Sequence, residues 1–216
     1  MNNCYLDAEA VITFFRMTGR KHIFITGSRG SGKSHLVNNM SKHMSDSFNL
    51  LQSHRTDTPQ VVIKSNLVAD NKEFVIGIPR TSGINPVSKG NNMTIIEDGF
   101  INCAIPAIDT HLDTTPERLF VIDELGYLES SCIPFQKAVE KLLDNSHVLA
   151  VIRKQSTEFL NRICNRKDVL VIDIDSTFET LSCIIMASGM SKRFGSNKLI
   201  TDFNGRPLFE NAVSIS

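Results

Sequence analysis

Gly27-Ser28-Arg29-Gly30-Ser31-Gly32-Lys33-Ser34 is the stretch from which the rest of this chain can be read. It spells G-x-x-x-x-G-K-S, the phosphate-cradling P-loop pattern. The apolar tetrad His22-Ile23-Phe24-Ile25 before it suits a buried parallel strand. Leu36, Val37, Met40 and Met44 after it fall at helical spacing. Strand, glycine turn and helix are the context that separates a phosphate site from an ordinary glycine turn capping a helix. Glycines let the backbone approach an anion closely, and the loop amides and helix N-terminus then point at it. The residue types predict that Gly27, Ser28, Arg29, Gly30, Ser31, Gly32, Lys33 and Ser34 bind the nucleotide. Lys33 reaches the β- and γ-phosphates, and the Ser34 hydroxyl holds Mg²⁺.

A second motif completes this chemistry. Leu119-Phe120-Val121-Ile122-Asp123-Glu124 is an apolar run that ends in two acids. It is the pattern of a buried strand delivering a metal-binding Asp and a water-activating Glu. Asp123 pairs with Ser34 across Mg²⁺, and Glu124 orients or deprotonates the attacking water. Glu124 and Lys33 are therefore the expected catalytic residues. Glu124 fits hydrolysis better than transfer to an acceptor alcohol, which needs no activated water. Arg153-Lys154 follow the next strand, where a cation could sense the terminal phosphate, so Arg153 joins the candidate nucleotide-binding set. The more ordinary reading of strand-end basic residues is that they are solvated. Arg162, Arg166 and Lys167 read as a solvated helix face, and the six histidines show no ligand spacing.

Bulk composition narrows the class. At 216 residues, 41% hydrophobic and 21% charged, the chain is ordinary globular material with room for one domain and an addition. Its 23 basic and 23 acidic residues cancel, so neither nucleic acid nor an anionic membrane is expected as a partner. The five cysteines are scattered without a C-x-x-C pair, which points to reduced thiols and a cytoplasmic setting. The N-terminus carries no signal-peptide pattern, and no apolar run is long enough to span a membrane.

Apolar spacing predicts an N-terminal amphipathic helix over Leu6 to Met17, within 5–18, with Asp7 as its cap and Gly19 as its end. Between Phe48 and Pro86, Leu50-Leu51, Val61-Val62-Ile63 and Phe74-Val75-Ile76 read as short strands forming a small β insertion. Asp70-Asn71 reads as a hairpin tip, and Asn85 to Asn92 as a loop. A helix is expected over Gly99 to Leu112, with Pro106 near a start or at a kink. Another opens at Pro134, capped by Ser130 or Ser131, and a third runs from Thr157 to about Arg166. Strands are expected at His147 to Ile152 and Val169 to Ile174. Alternating β and α elements with continuous apolar strands predict an α/β fold, its mainly parallel sheet covered by helices on both faces.

These segments resemble the small P-loop nucleoside-triphosphatase family of the cancer-related NTPase type. The specific part is Asp123-Glu124-Leu125-Gly126-Tyr127-Leu128-Glu129, read as D-E-h-G-x-h-E, and the order of the later segments agrees. The resemblance covers roughly Lys21 to Leu181. It implies a RecA-like sheet with a strand added between the two motif strands. It also implies Mg²⁺-dependent hydrolysis of ATP, GTP and other triphosphates with little base selectivity, and it makes Glu129 a further acid near the site. Two departures stand out: a helix precedes the P-loop strand, and Gln52 to Pro79 matches poorly, so no family residue is carried into that segment.

A second resemblance begins at Ser182. Cys183-Ile184-Ile185-Met186-Ala187-Ser188-Gly189-Met190-Ser191-Lys192-Arg193-Phe194-Gly195 through Lys198-Leu199 looks like the opening of a molybdenum-cofactor nucleotidyltransferase. In that family a strand leads into a glycine loop, which would set Gly189, Arg193 and Lys198 against a nucleotide. The expected organisation is a P-loop NTPase domain over 1–181 and the truncated start of a transferase-like α/β domain over 182–216. That juxtaposition implies a link, and a protein partner, in molybdenum-cofactor maturation. The rival readings are a nucleotide-gated assembly module, a transferase whose active domain is truncated here and, less well matched, a P-loop kinase.

Overall fold

A computed structural model describes residues 6–68, 72–80 and 93–176, with the backbone of two short strands, Asp202–Phe203 and Arg206–Pro207. The expectations for Asp70-Asn71, for Asn85 to Asn92 and for the glycine loop after Ser182 lie outside the described residues. The chain divides into two compact units, Met1–Asp175 and Ser176–Ser216. Within the second unit, the two short strands pair antiparallel, Arg206 opposite Phe203.

Among the described residues, unit one is built on a sheet of eight strands. These are β1 (His22–Thr26), β2 (Phe48–Arg55), β3 (Val61–Ser65), β4 (Phe74–Pro79), β5 (Met93–Ile95), β6 (Leu119–Leu125), β7 (His147–Ile152) and β8 (Val169–Asp173). Their order is β5-β4-β3-β2-β6-β7-β1-β8. The five strands from β2 to β8 in that order are parallel, and β3, β4 and β5 extend the same sheet antiparallel. The β insertion is therefore one wing of the main sheet, not a separate excursion. As the family resemblance implies, β7 stands between β1 and β6.

Period-two alternation sends neighbouring side chains to opposite faces, and the two faces carry separate cores. On one, Ile23, Ile25, Val121, Leu149 and Val151 meet α1 (Ala8–Thr18) and α2 (Lys33–Met44) through Val11, Ile12, Phe15, Val37 and Met40. On the other, Phe24, Phe120, Ile122 and Ala150 meet the remaining helices, α3 (Glu97–Gly99), α4 (Ile105–Thr114), α5 (Ile133–Asn145) and α6 (Glu158–Cys164). Parallel strands buried on both faces read as continuous apolar runs for this reason.

Local chemistry sets the helix ends. Asp7 accepts from the Ala10 amide and Gly19 closes α1 in the left-handed region, so the N-terminal helix starts at Ala8 rather than near residue 5. Between α3 and α4 the chain is π-helical over Phe100–Ala104, and the Ile105 amide donates to the Phe100 carbonyl five residues back. Pro106, which lacks an amide hydrogen, follows directly and accounts for the irregular turn. The expected caps of α5 are not its caps. Cys132 occupies that position, while the Ser130 and Ser131 hydroxyls donate back to the Gly126 and Tyr127 carbonyls. Thr157 does cap α6, which ends at Cys164. Beyond it, Arg166 is tied to Asp168 and Asp144 instead of being only solvated.

Gly99 marks the tightest helix-to-sheet approach. A Cβ there would lie 2.3 Å from the Val75 carbonyl oxygen and 2.7 Å from Ile76 Cγ2, and backbone cannot yield as a side-chain tip can. Gly99→Ala should therefore destabilise the protein by about 2 kcal/mol or more, the upper range for an overpacked core. Urea unfolding of the full chain measures it, and an unchanged midpoint would contradict this packing.

Candidate active site

Four neighbouring parallel strands, β2, β6, β7 and β1, bring their C-terminal ends to one edge, where ligands of open α/β sheets are bound. β1 ends at Thr26 and hands over to the glycine loop. Gly32, at φ 90°, is the N-cap of α2, a left-handed position that glycine takes without strain. No side chain caps this helix, so its first-turn amides face the loop's concavity. Lys33 Nζ donates to the Gly27 carbonyl at 3.0 Å and the Ser28 carbonyl at 2.6 Å, curling over the loop it belongs to. The Ser31 hydroxyl closes the loop on Ser28 O at 2.8 Å.

β6 delivers the acids. The Ser34 hydroxyl donates to Asp123 Oδ1 at 2.9 Å, so the two expected metal-binding residues meet. Gln52 Nε2, from the next strand over, donates to Asp123 Oδ2 at 3.3 Å. Glu124 Oε1 pairs with Arg153 Nε at 2.7 Å, and that guanidinium also lies over the Tyr127 ring, 5.9 Å from its centroid. The loop residues Gly27 to Gly30 and Gly32 to Ser34 line one cleft of about 800 Å³ together with Glu124 and Arg153.

Two sequence neighbours of these residues are held differently. Lys154 also lines the cleft but is paired with Asp173, at 2.8 Å, and Asp175, at 3.2 Å. Glu129 is only 5% exposed and accepts from the Gly126 amide at 2.9 Å, so it fixes the turn after β6 instead of facing the cleft. Burial pushes the Glu129 carboxyl up to about 7, against the two backbone hydrogen bonds that favour its charged form.

Three residues were not legible as site residues. Gln52 and Arg55 sit in the poorly matching segment and carry no motif. Asp175 accepts from the Ser28 amide at 2.7 Å and the Ser28 hydroxyl at 3.0 Å, anchoring the back of the P-loop to the end of β8. An acid just past an apolar strand was the only signal for it.

The donor set suits Mg²⁺. The Ser34 hydroxyl and one Asp123 carboxylate converge beside a phosphate cradle, and Mg²⁺ is held by one or two carboxylates with substrate phosphates and water. Among the described residues no group of three or more His, Cys, Asp or Glu side chains is placed to hold a metal by itself.

Comparison with known proteins agrees with this architecture. The profile of a family described as NTPase matches residues 22–179. The nucleoside-triphosphatase THEP1 of Thermotoga sp. (strain RQ2) is 26% identical over 155 residues, which span 71% of this chain and 86% of that protein. THEP1 of Thermotoga maritima is 24% identical over 154 residues, with the same coverage. Among solved structures, THEP1 from Aquifex aeolicus superposes with a TM-score of 0.57 at 18% identity, over 73% of this chain and 92% of that one. A human cancer-related nucleoside triphosphatase gives 0.53 at 20% identity, over 71% and 88%. At these identities the two structures speak for the fold alone.

Glu129 provides a pH test of the site's packing. Its folded value, about 7, lies above the ordinary 4.5, so the native state holds the proton more tightly than the unfolded chain does. Its stabilising contribution is complete below about 4.5 and is lost as pH rises through about 7. Glu129→Gln keeps the acceptor for Gly126 and removes the titration. Wild type should lose stability relative to Glu129→Gln across that window in parallel melts, and a constant difference would contradict the buried carboxyl.

Proposed function

Because the chain belongs to the NTPase family, we propose that it hydrolyses nucleoside triphosphates, ATP and GTP among them, to diphosphate and phosphate with Mg²⁺. The observation that carries this reading is the convergence of the P-loop, the Ser34–Asp123 pair and Glu124 at one sheet edge. The loop amides and Lys33 hold the phosphate chain, and Lys33 exchanges its loop carbonyls for phosphate oxygens as the substrate enters. Ser34 and Asp123 would hold Mg²⁺, which when bound neutralises charge on the β- and γ-phosphates. Glu124 orients a water and takes its proton. The water oxygen bonds to the γ-phosphorus, the bond to the β,γ-bridging oxygen breaks, and the diphosphate leaves with that electron pair.

Arg153 fits this sequence through its partner. Paired with Glu124 at 2.7 Å, it holds the carboxylate aside until a terminal phosphate draws the guanidinium away. Both side chains are about a third exposed, so the pair is weak enough to be exchanged. Recognition that rests on phosphates and not on the base supports broad nucleotide use. The described cysteines Cys103, Cys132 and Cys164 are free thiols, which suits a cytoplasmic protein. The proposed link to molybdenum-cofactor maturation, with a partner protein there, is supported by the sequence from Ser182 onward.

Binding and chemistry separate by mutation. Lys33→Ala should abolish most of the thermal stabilisation that Mg-nucleotide confers, because a ligand of the native state raises apparent stability with the logarithm of its concentration over Kd. Glu124→Gln should keep that stabilisation while hydrolysis falls by about 10²-fold or more. Wild-type turnover by Glu124→Gln would remove Glu124 from the mechanism, and equal stabilisation of Lys33→Ala would remove the P-loop.

A further inference from the structure

Arg55 closes β2, the strand that pairs directly and in parallel with β6. Gln52 lies opposite Asp123, so Arg55 stands three residues further along, about 10 Å past the Ser34–Asp123 junction at the usual rise per strand residue. It lines the same cleft as Lys33, Ser34, Glu124 and Arg153. Its backbone is not loose. Arg55 pairs with Val61 across the β2–β3 hairpin, and the Thr56 amide donates to the Gln60 carbonyl at 3.1 Å to close that hairpin.

Three other cations that line the cleft are engaged within the protein, while Arg29, on the P-loop itself, shares with Arg55 the absence of a side-chain hydrogen bond or ion pair among the described residues. Lys33 bonds its loop carbonyls, Arg153 pairs with Glu124, and Lys154 pairs with Asp173 and Asp175. The Arg55 guanidinium has no hydrogen bond or ion pair among the described residues. Its positive charge does act, with those of Arg153 and Arg80, on the Tyr127 hydroxyl beside the β6 acids. The strand order places two strands, β6 and β7, between β2 and β1. A phosphate chain anchored in the P-loop and running toward Asp123 and Glu124 therefore presents its terminal phosphoryl group to the β2 side.

Resting on the hydrolase reading above, we propose that Arg55 is a further catalytic residue, which contacts the terminal phosphoryl group and stabilises the charge that develops as the β,γ-bridging bond breaks. Negative charge accumulates on the β,γ-bridging oxygen as it leaves with the diphosphate, and a guanidinium offers paired donors to that oxygen and to a γ-phosphoryl oxygen. Its position on a paired strand end pre-sets the group without ordering a loop. Lys33 grips the chain in ground state and transition state alike, whereas Arg55 acts where the charge moves.

The test uses the full chain carrying Arg55→Ala or Arg55→Lys. Arg55→Ala should lower kcat by about 10³-fold, the lower end of what arginine supplied to phosphoryl transfer is worth, with KM within several-fold. Calorimetric affinity for ADP should be unchanged. The wild type should form a tight complex with ADP and aluminium fluoride, a transition-state mimic, and Arg55→Ala should not. Arg55→Lys should recover part of the rate. Wild-type kcat and trapping by Arg55→Ala would overturn the proposal, and so would an equal loss of ADP and aluminium-fluoride affinity, which marks ground-state binding. If the wild type itself neither releases phosphate nor traps the mimic, the hydrolase reading fails, and the proposal with it.

Discussion

One hydrogen bond, from the Ser34 hydroxyl to Asp123 at 2.9 Å, joins the two halves of the site, and the fold is arranged to permit it. The residues belong to elements separated by β7, so β1 and β6 run about 10 Å apart at normal strand spacing. They meet only because both strands end at the same level and α2 begins at Gly32, with Ser34 in its first turn. Shifting β6 by one residue against β7 would send Asp123 to the opposite face of the sheet. The paired register, Val121 with Leu149 and Asp123 with Val151, prevents that through two cores that need the alternation intact.

Charge is distributed around this junction in a way that holds reactive groups in reserve. Lys33 rests on its own loop carbonyls and Glu124 rests on Arg153, both through contacts a phosphate can replace. The supporting groups bond backbone amides instead. Glu129 bonds the Gly126 amide from within the core, and Asp175 bonds the Ser28 amide behind the P-loop. The exchangeable contacts face the cleft and the fixed ones lie behind it, an arrangement that preorganises a site for a charged ligand.

Much of this was legible in the sequence because motif and periodicity coincide. Gly27 to Ser34 specifies a loop geometry, and the apolar runs before it and before Asp123 specify strands buried on both faces. The β-α alternation then requires the parallel sheet that is found. The β wing was legible as strands but not as part of that sheet, since pairing of β2 with β6 is a long-range choice with no local signature. For the same reason Gln52 and Arg55 were invisible: the β2–β6 pairing sets Gln52 opposite Asp123 and Arg55 three residues beyond it, and no spacing along the chain signals that. The α5 cap was misread because Ser130 and Ser131 are good cap residues whose hydroxyls found nearer carbonyls in the turn after β6. Arg153 and Lys154 are adjacent in sequence, yet opposite acids draw them apart, which no composition rule anticipates.

In the proposed reaction these groups direct water to the terminal phosphorus of a nucleoside triphosphate. The most direct measurement is ³¹P NMR of ATP incubated with the purified full chain and Mg²⁺ in ¹⁸O-labelled water. The account predicts ADP and inorganic phosphate, with the label in the phosphate alone. AMP with pyrophosphate, or label in the ADP, would place the chemistry at another phosphorus and contradict it.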